Sequence, residues 1–273
     1  ADVVIAGRSY DPSVFASLAI KEGFDRALAL HMGKILECAA ICALPGSGSD
    51  CMFGYLRKDH FVLEPLSKDR KCTTLSVAGH TLYEKTDPYH LPGPGGALDL
   101  HGCHFEQIDD NKVKISGTVF EPTDGYFLKL EATRLVGYRT ISVAATTDPI
   151  MISKIDSIIE SVKARVKDNF DNYGIKDYYL DFKIYGKNGV MSMFEGIDGN
   201  IGSELMVVIE AVAKTQKEAD TICSFARSTM LHFGYEGRIA TAGNLAFPFS
   251  PSDCHMGEVY EFSLYHLLQV EDP

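Results

Sequence analysis

No run of apolar residues reaches the ~18–20 needed to span a bilayer. The most apolar helix-like stretch, 26–44, is interrupted by His31, Lys34 and Glu37. No signal-peptide pattern is visible, although a front region lying before this chain would hide one. There is no Cys-x-x-Cys pair, and the seven cysteines, at 38, 42, 51, 72, 103, 223 and 254, make no regular framework. Free thiols in a reducing cytoplasm are expected. Basic residues are scarce: 26 Lys and Arg stand against 37 Asp and Glu, a net charge of -11. With no basic stripe carrying interleaved aromatics, nucleic acid is excluded as a partner. Neither G-x-S-x-G nor G-x-x-x-x-G-K-[ST] occurs, which argues against a hydrolase elbow and a phosphate cradle. What is present, 45% hydrophobic and 23% charged residues over 273 positions, suits a soluble globular protein of one large domain or two.

The pattern along the chain is α/β followed by α+β. Ala1–Ala6 reads as a buried strand and Gly7–Asp11 as the loop at its carboxyl end, where open α/β sheets bind ligands. A strand needing neighbours on both sides, at position 1, points to the later part of a longer polypeptide. Asp11 then caps a helix with Pro12 at its first position, and Val14, Phe15, Leu18 and Ala19 make its inner face. Asp25 caps a second helix carrying Leu28, Met32, Ile35, Ala39 and Cys42 on one side, ended by Pro45–Gly48. A strand is expected at Phe61–Leu66 and a short helix at Cys72–Tyr83. The Leu91–Gly96 passage, L-P-G-P-G-G, reads as a domain boundary, or else as a loop whose bare backbone approaches a ligand.

Lys112–Val119 alternates as a strand, and Phe127–Leu135 with Tyr138–Ala145 suggests a hairpin about Val136-Gly137. Asp148-Pro149 begins an amphipathic helix with Ile152, Ile155, Ile159, Val162 and Val166 inward. Strands at Tyr178–Tyr185 and Glu204–Ala213 follow, joined by the loop Gly186–Ser203. Thr215 and Glu218 then head a helix with capping-box spacing, and Arg238–Ala242 with Leu245–Phe249 supplies the last strand. The tail Ser250–Val270 alternates in its second part and reads as an added edge strand. This order, strand, helix, strand, strand, helix, strand, is the split βαβ, ferredoxin-like pattern. The expected division is therefore an α/β portion over 1–100, the end of a larger domain, and a ferredoxin-like domain over 101–273.

Arg8 and Asp11 form the leading substrate-binding pair, since a guanidinium at a strand end can clamp a carboxylate or phosphate. The plain alternative is an N-cap and a surface ion pair. On the second helix His31, Lys34 and Cys38 share a side, with Glu37 a little further round. His31 and Glu37 are candidate acid/base residues and Lys34 a candidate substrate anchor; the more ordinary account is a wet helix edge with Lys34 and Glu37 as an i, i+3 pair. Asp87, in a turn before Pro88, is a further candidate catalytic carboxylate. No metal site is expected: in a strand, His101 and Cys103 of H-G-C-H would face away from His104. Ser250, Asp253 and His255 lie too close in sequence to converge readily as a triad.

The opening A-D-V-V-I-A-G-R-S-Y-D, then G-K-I-L-E-C-A, L-Y-E-K-T-D-P-Y-H-L-P, and the strand pair K-V-K-I-S-G and G-Y-R-T occur in one order. Together they resemble the acyclic terpene utilisation AtuA family across essentially the whole chain, with Arg8, Asp11, Gly33, Glu37, Glu84, Asp87 and Pro88 as family-like positions. The resemblance implies a cytoplasmic catabolic protein handling branched acids or their CoA thioesters, beside a small ferredoxin-fold companion. It names no cofactor. The expectation is a lyase, hydratase or isomerase in which Arg8 anchors a carboxylate, Glu37 or Asp87 moves a proton and His31 assists. A homo-oligomer is expected; the alternative function is a non-catalytic scaffold subunit whose ferredoxin-like half pairs with a ferredoxin-fold partner through an open sheet edge.

Overall fold

The computed structural model describes residues 2–3, 5, 9–191, 201–239 and 241–271. Among them lie six α-helices and three sheets built on antiparallel strand pairs, a mixed α/β protein. The chain divides into one unit of Ala1–Leu130 with His266–Pro273 and another of Glu131–Tyr265, so the division falls later than position 100. None of the described helices is long and apolar enough to cross a membrane.

Of the strand expected over 1–6, only residues 2, 3 and 5 are described. Asp2, Val3 and Ile5 belong to no strand, and Val3 and Ile5 are exposed. Two helices follow, α1 (Pro12–Lys21) and α2 (Arg26–Leu36), separated by Gly23 at φ 84°. Asp25 caps α2 by accepting the Leu28 N–H at 2.9 Å, whereas Asp11 makes no side-chain cap to α1. α1 buries Pro12 and Ala16 and leaves Val14, Phe15 and Leu18 exposed, the reverse of the periodicity reading. The reason is the crossing itself: at Gly33 a Cβ would lie 2.4 Å from the Pro12 carbonyl oxygen, so the helices touch along their smallest residues. α2 ends at Leu36, earlier than expected, and a 3-10 turn occupies Ala39–Ile41.

Beneath α2 lies a four-stranded sheet in the order β1-β2-β6-β5. Its strands are β1 (Met52–Leu56), β2 (His60–Pro65), β5 (His104–Gln107) and β6 (Val113–Ser116), with α3 (Thr74–Thr81) between β2 and β5. Thr73 and Ser76 close a capping box on α3. Leu28, Met32 and Ile35 of α2 form one core with Phe61, Leu63, Val113 and Ile115 of the sheet. The Pro-Gly passage is not a linker but a hairpin, β3 (His90–Gly93) and β4 (Gly96–Asp99), turning at Pro94-Gly95 with Gly95 at φ 76°. β7 (Val119–Pro122) pairs with β4 to complete a three-stranded sheet.

The second unit holds most of β8 (Tyr126–Thr146), one continuous strand where a hairpin is predicted. After it come α4 (Pro149–Ser153), α5 (Ile155–Asn172), β9 (Tyr178–Tyr185), β10 (Leu205–Ala213), α6 (Gln216–Leu231) and β11 (Asp253–Val270). The sheet order is β11-β8-β10-β9. Along β10 every second residue from Leu205 to Ala213 is buried, and that face packs with Ile158, Val162 and Val166 of α5 and Ile222, Ala226 and Met230 of α6. The last strand is the tail, since among the described residues of 238–249 only Ala246 makes a bridge, an isolated one to Ala145. The connection Gly186–Ser203 lies partly outside the described residues.

Candidate functional site

In the first unit Lys34, in the last turn of α2, and Glu37, at its C-cap, form an ion pair with side chains only 4% and 11% exposed. The N–H groups that would neutralise a lone carboxylate are absent from a helix C-terminus, so the ammonium is the natural partner there. Lys34 Nζ also lies 5.4 Å from the centre of the Tyr83 ring.

Three more polar side chains gather around this pair. His80, from α3, is buried and stacks on Tyr83 at 5.4 Å, with the rings 22° apart. Its ring bonds the Ile35 backbone, while Nε2 is buried with no hydrogen-bond partner among the described residues. Burial holds its pKa below the ordinary imidazole value, with the Lys34 charge acting in the same direction and Glu37 opposing it. A neutral imidazole donating to the Ile35 carbonyl leaves a lone pair on Nε2. Tyr10 is pushed up by burial and by the Glu37 charge, and its hydroxyl sits against Gly93, where a Cβ would meet it at 2.9 Å. Lys85 is pulled down, chiefly by burial and then by Lys34, and donates to the Pro92 carbonyl. A carboxylate, an imidazole, two ammonium groups and a phenol near each other can bind an anionic or carbonyl substrate and move a proton.

The other candidate positions have different surroundings. His31 is fully buried with both ring nitrogens engaged, Nδ1 to Thr118 Oγ1 at 2.7 Å and Nε2 to Thr81 Oγ1 at 3.1 Å. Thr81 gives its own hydrogen to the Val77 carbonyl, so Nε2 must be the donor and Nδ1 the acceptor. Burial takes the His31 pKa down to about 3, a neutral core histidine edge-on to Phe61. Asp87 accepts the N–H groups of Tyr89 and His90, which hold its carboxyl below its usual range in a turn. Arg8 lies outside the described residues. Asp253 is taken by Arg227 at 2.7 and 3.1 Å, and His255 by Asp220 at 3.1 Å, beside an open cleft of about 1010 Å³ against α6. All seven cysteines are free.

His80 has no motif to announce it: it is one histidine in an eight-residue helix, and only the fold sets it beside Lys34. Among the described residues, a group able to hold a metal ion is His90, Asp99 and His101. His101 therefore does belong to such a group, but without Cys103 or His104.

The fold and this cluster define a mixed α/β protein with a buried acid–base set in its first unit. The chain belongs to the AtuA family: the family model for acyclic terpene utilisation family protein AtuA matches residues 60–246, more than half of it. The family's role is acyclic terpene utilisation, a catabolic one. His80, Glu84, Asp87 and Pro88 fall inside the matched span; Arg8, Asp11, His31, Lys34 and Glu37 precede it. No curated protein and no solved structure matches the chain.

Proposed function

We propose that the protein is an enzyme of branched-acid catabolism that moves a proton next to the carbonyl of a small carboxylic acid or its CoA thioester. The reaction class is lyase, hydratase or isomerase. The observation that carries this reading is the buried Lys34–Glu37 pair beside a neutral His80 whose Nε2 has no partner among the described residues. Glu37 or His80 Nε2 takes the proton, and Lys34 with Lys85 balances the charge that develops on the carbonyl oxygen. His80 thus fills the assisting role first considered for His31, and Asp87 and Asp11 stand outside it.

In the second unit, the element order and the sheet order β11-β8-β10-β9 support a ferredoxin-like assignment. Fold alone assigns no chemistry.

The test is exchange. Branched and unsaturated acyl-CoA thioesters and their free acids are incubated with the chain in D₂O and followed by mass spectrometry. Deuterium uptake at the carbon beside the carbonyl is expected, and Glu37→Gln should abolish it. The Lys34→Met/Glu37→Leu double variant serves if Glu37→Gln does not fold. Uptake unchanged in a folded variant removes Glu37 from the role; no uptake with any compound of the panel defeats the reading.

A second reading is favoured by one observation. β11 lies at the edge of its sheet, and within the second unit it exposes Tyr260, Phe262 and Leu264. An apolar edge strand suits a scaffold subunit that pairs with a ferredoxin-fold companion or with itself. Mass measured by light scattering, alone and with a candidate companion, separates the readings: a monomer with no complex rules out the scaffold.

A further inference from the structure

We propose that His90, Asp99 and His101, joined by Glu121, bind a divalent transition-metal ion in the first unit. The proposal does not depend on the acid–base cluster around Lys34.

The placement follows from strand register. The Pro94-Gly95 turn pairs His90 with Asp99 across the β3–β4 hairpin, which puts both side chains on one face of the sheet. On the other side of β4, Glu121 pairs with Ala97, two residues before Asp99, so it shares that face by the period of two. Its carboxylate lies 3.8 Å from His90 Nε2. The chain turns after β4 and brings His101 back: its backbone N–H and its Nδ1 both reach Asp99 Oδ1, at 2.9 and 2.6 Å. Tyr89 stacks on the His101 ring at 4.6 Å, and the His90 ring meets it edge-on at 5.2 Å.

The result is one ligand atom each from His90, Asp99 and His101, all within 4.8 Å of one another. Bonds of ~2.0–2.2 Å to a common ion need somewhat closer atoms. Rotation of the half-exposed rings supplies that, because the His90 and His101 side chains are 44% and 57% exposed. Two imidazoles with one or two carboxylates form a borderline nitrogen–oxygen set. It suits zinc, ferrous iron, cobalt or manganese better than calcium, which takes oxygen alone. The hydrogen bond from His101 Nδ1 to Asp99 marks where an ion would replace a proton. Solvent access leaves positions open for water or another ligand.

The hairpin also explains why the group escapes sequence inspection. His90 and Asp99 are nine positions apart in the chain, and only the register of a turn read as a linker makes them neighbours.

The test uses the whole chain, stripped with a chelator and titrated with Zn²⁺ by calorimetry and with Co²⁺ by visible absorption. One ion per chain is expected. The cobalt form should show ligand-field bands without the near-ultraviolet charge-transfer band of a thiolate, which separates this site from the free cysteines. His90→Ala and His101→Ala should each weaken zinc binding about tenfold or more, while Cys38→Ser/Cys51→Ser leaves it unchanged. His90→Gln and His101→Gln serve where the alanine forms do not fold. Substoichiometric zinc, a thiolate band, or undiminished affinity in the folded His90 and His101 variants would overturn the site.

Discussion

Lys34 and Glu37 lie one helical turn apart and hold each other's charge where almost no water reaches. Such a pair resists the loss of one member far more than the loss of both. Glu37→Gln leaves the ammonium buried and unpaired, and about 3–5 kcal/mol of stability should go with it. Lys34→Met/Glu37→Leu, which fills the same space without charge, should stay within about 2 kcal/mol of the parent. Urea denaturation midpoints decide the matter. A Glu37→Gln chain as stable as the parent would show that the pair is solvated in practice, and the acid–base proposal would weaken with it.

The buried His31 predicts acid sensitivity. Its imidazole titrates near 6.5 when unfolded and at about 3 when folded. Between those values the unfolded chain holds a proton that the folded one lacks. Its contribution to stability is therefore complete above pH 6.5 and is lost as pH falls towards 3, by roughly 1.4 kcal/mol per unit at most. His80, shifted the same way, steepens the slope. His31→Asn should be less stable than the parent at pH 7, with the gap narrowing at pH 6 and again at pH 5. Parallel stability curves for the two proteins would show that His31 is not held neutral.

How much of this could be read in advance depended on distance along the chain. Asp25, Asp148 and the Thr215–Glu218 box cap helices where expected, because a cap and the helix it serves are neighbours in sequence. β9 occupies Tyr178–Tyr185 as its alternation implies. Gly137 misled for a long-range reason: it sits inside β8 because a Cβ there would be 2.4 Å from the Ala213 carbonyl oxygen on β10, not because the chain turns. The exposed side of α1 is likewise decided by Gly33, on another helix. Lys34 and Glu37 were recognisable by spacing, but their company of His80, Tyr10 and Lys85 comes from three separate segments.

In the second unit Asp148 does two things at once. It accepts the Ile150 and Met151 N–H groups at the start of α4 and the Tyr235 hydroxyl at 2.6 Å. Burial, with the Asp148 bond and charge, pushes Tyr235 up to about 12. Asp148→Ala removes the cap and should cost about 1–2 kcal/mol. Asp148→Asn keeps a capping oxygen, so it should cost less while still lowering the Tyr235 pKa by removing the negative charge. Phenolate absorbance against pH reads the second effect, and thermal denaturation the first. A Tyr235 titration unmoved in Asp148→Asn would leave burial as its cause without help from the carboxylate.

Two glycines in helices should respond with opposite signs to the same change. Replacing a helical glycine by alanine usually stabilises by up to about 1 kcal/mol, because the unfolded chain loses freedom. Gly79 in α3 has nothing within 4 Å of the position a Cβ would take, so Gly79→Ala should gain that amount. At Gly33 the same methyl would press on the Pro12 carbonyl oxygen at 2.4 Å, and backbone cannot rotate out of the way as a side chain can. α1 must then move off α2, opening the contact that Pro12 and Ala16 bury. Overpacking of this kind costs about 1–3 kcal/mol, enough to outweigh the propensity gain. Denaturant midpoints of the two single variants give the comparison. If Gly33→Ala were as stabilising as Gly79→Ala, the close crossing of α1 and α2, and with it the placing of Tyr10 beside Gly93, would be untenable.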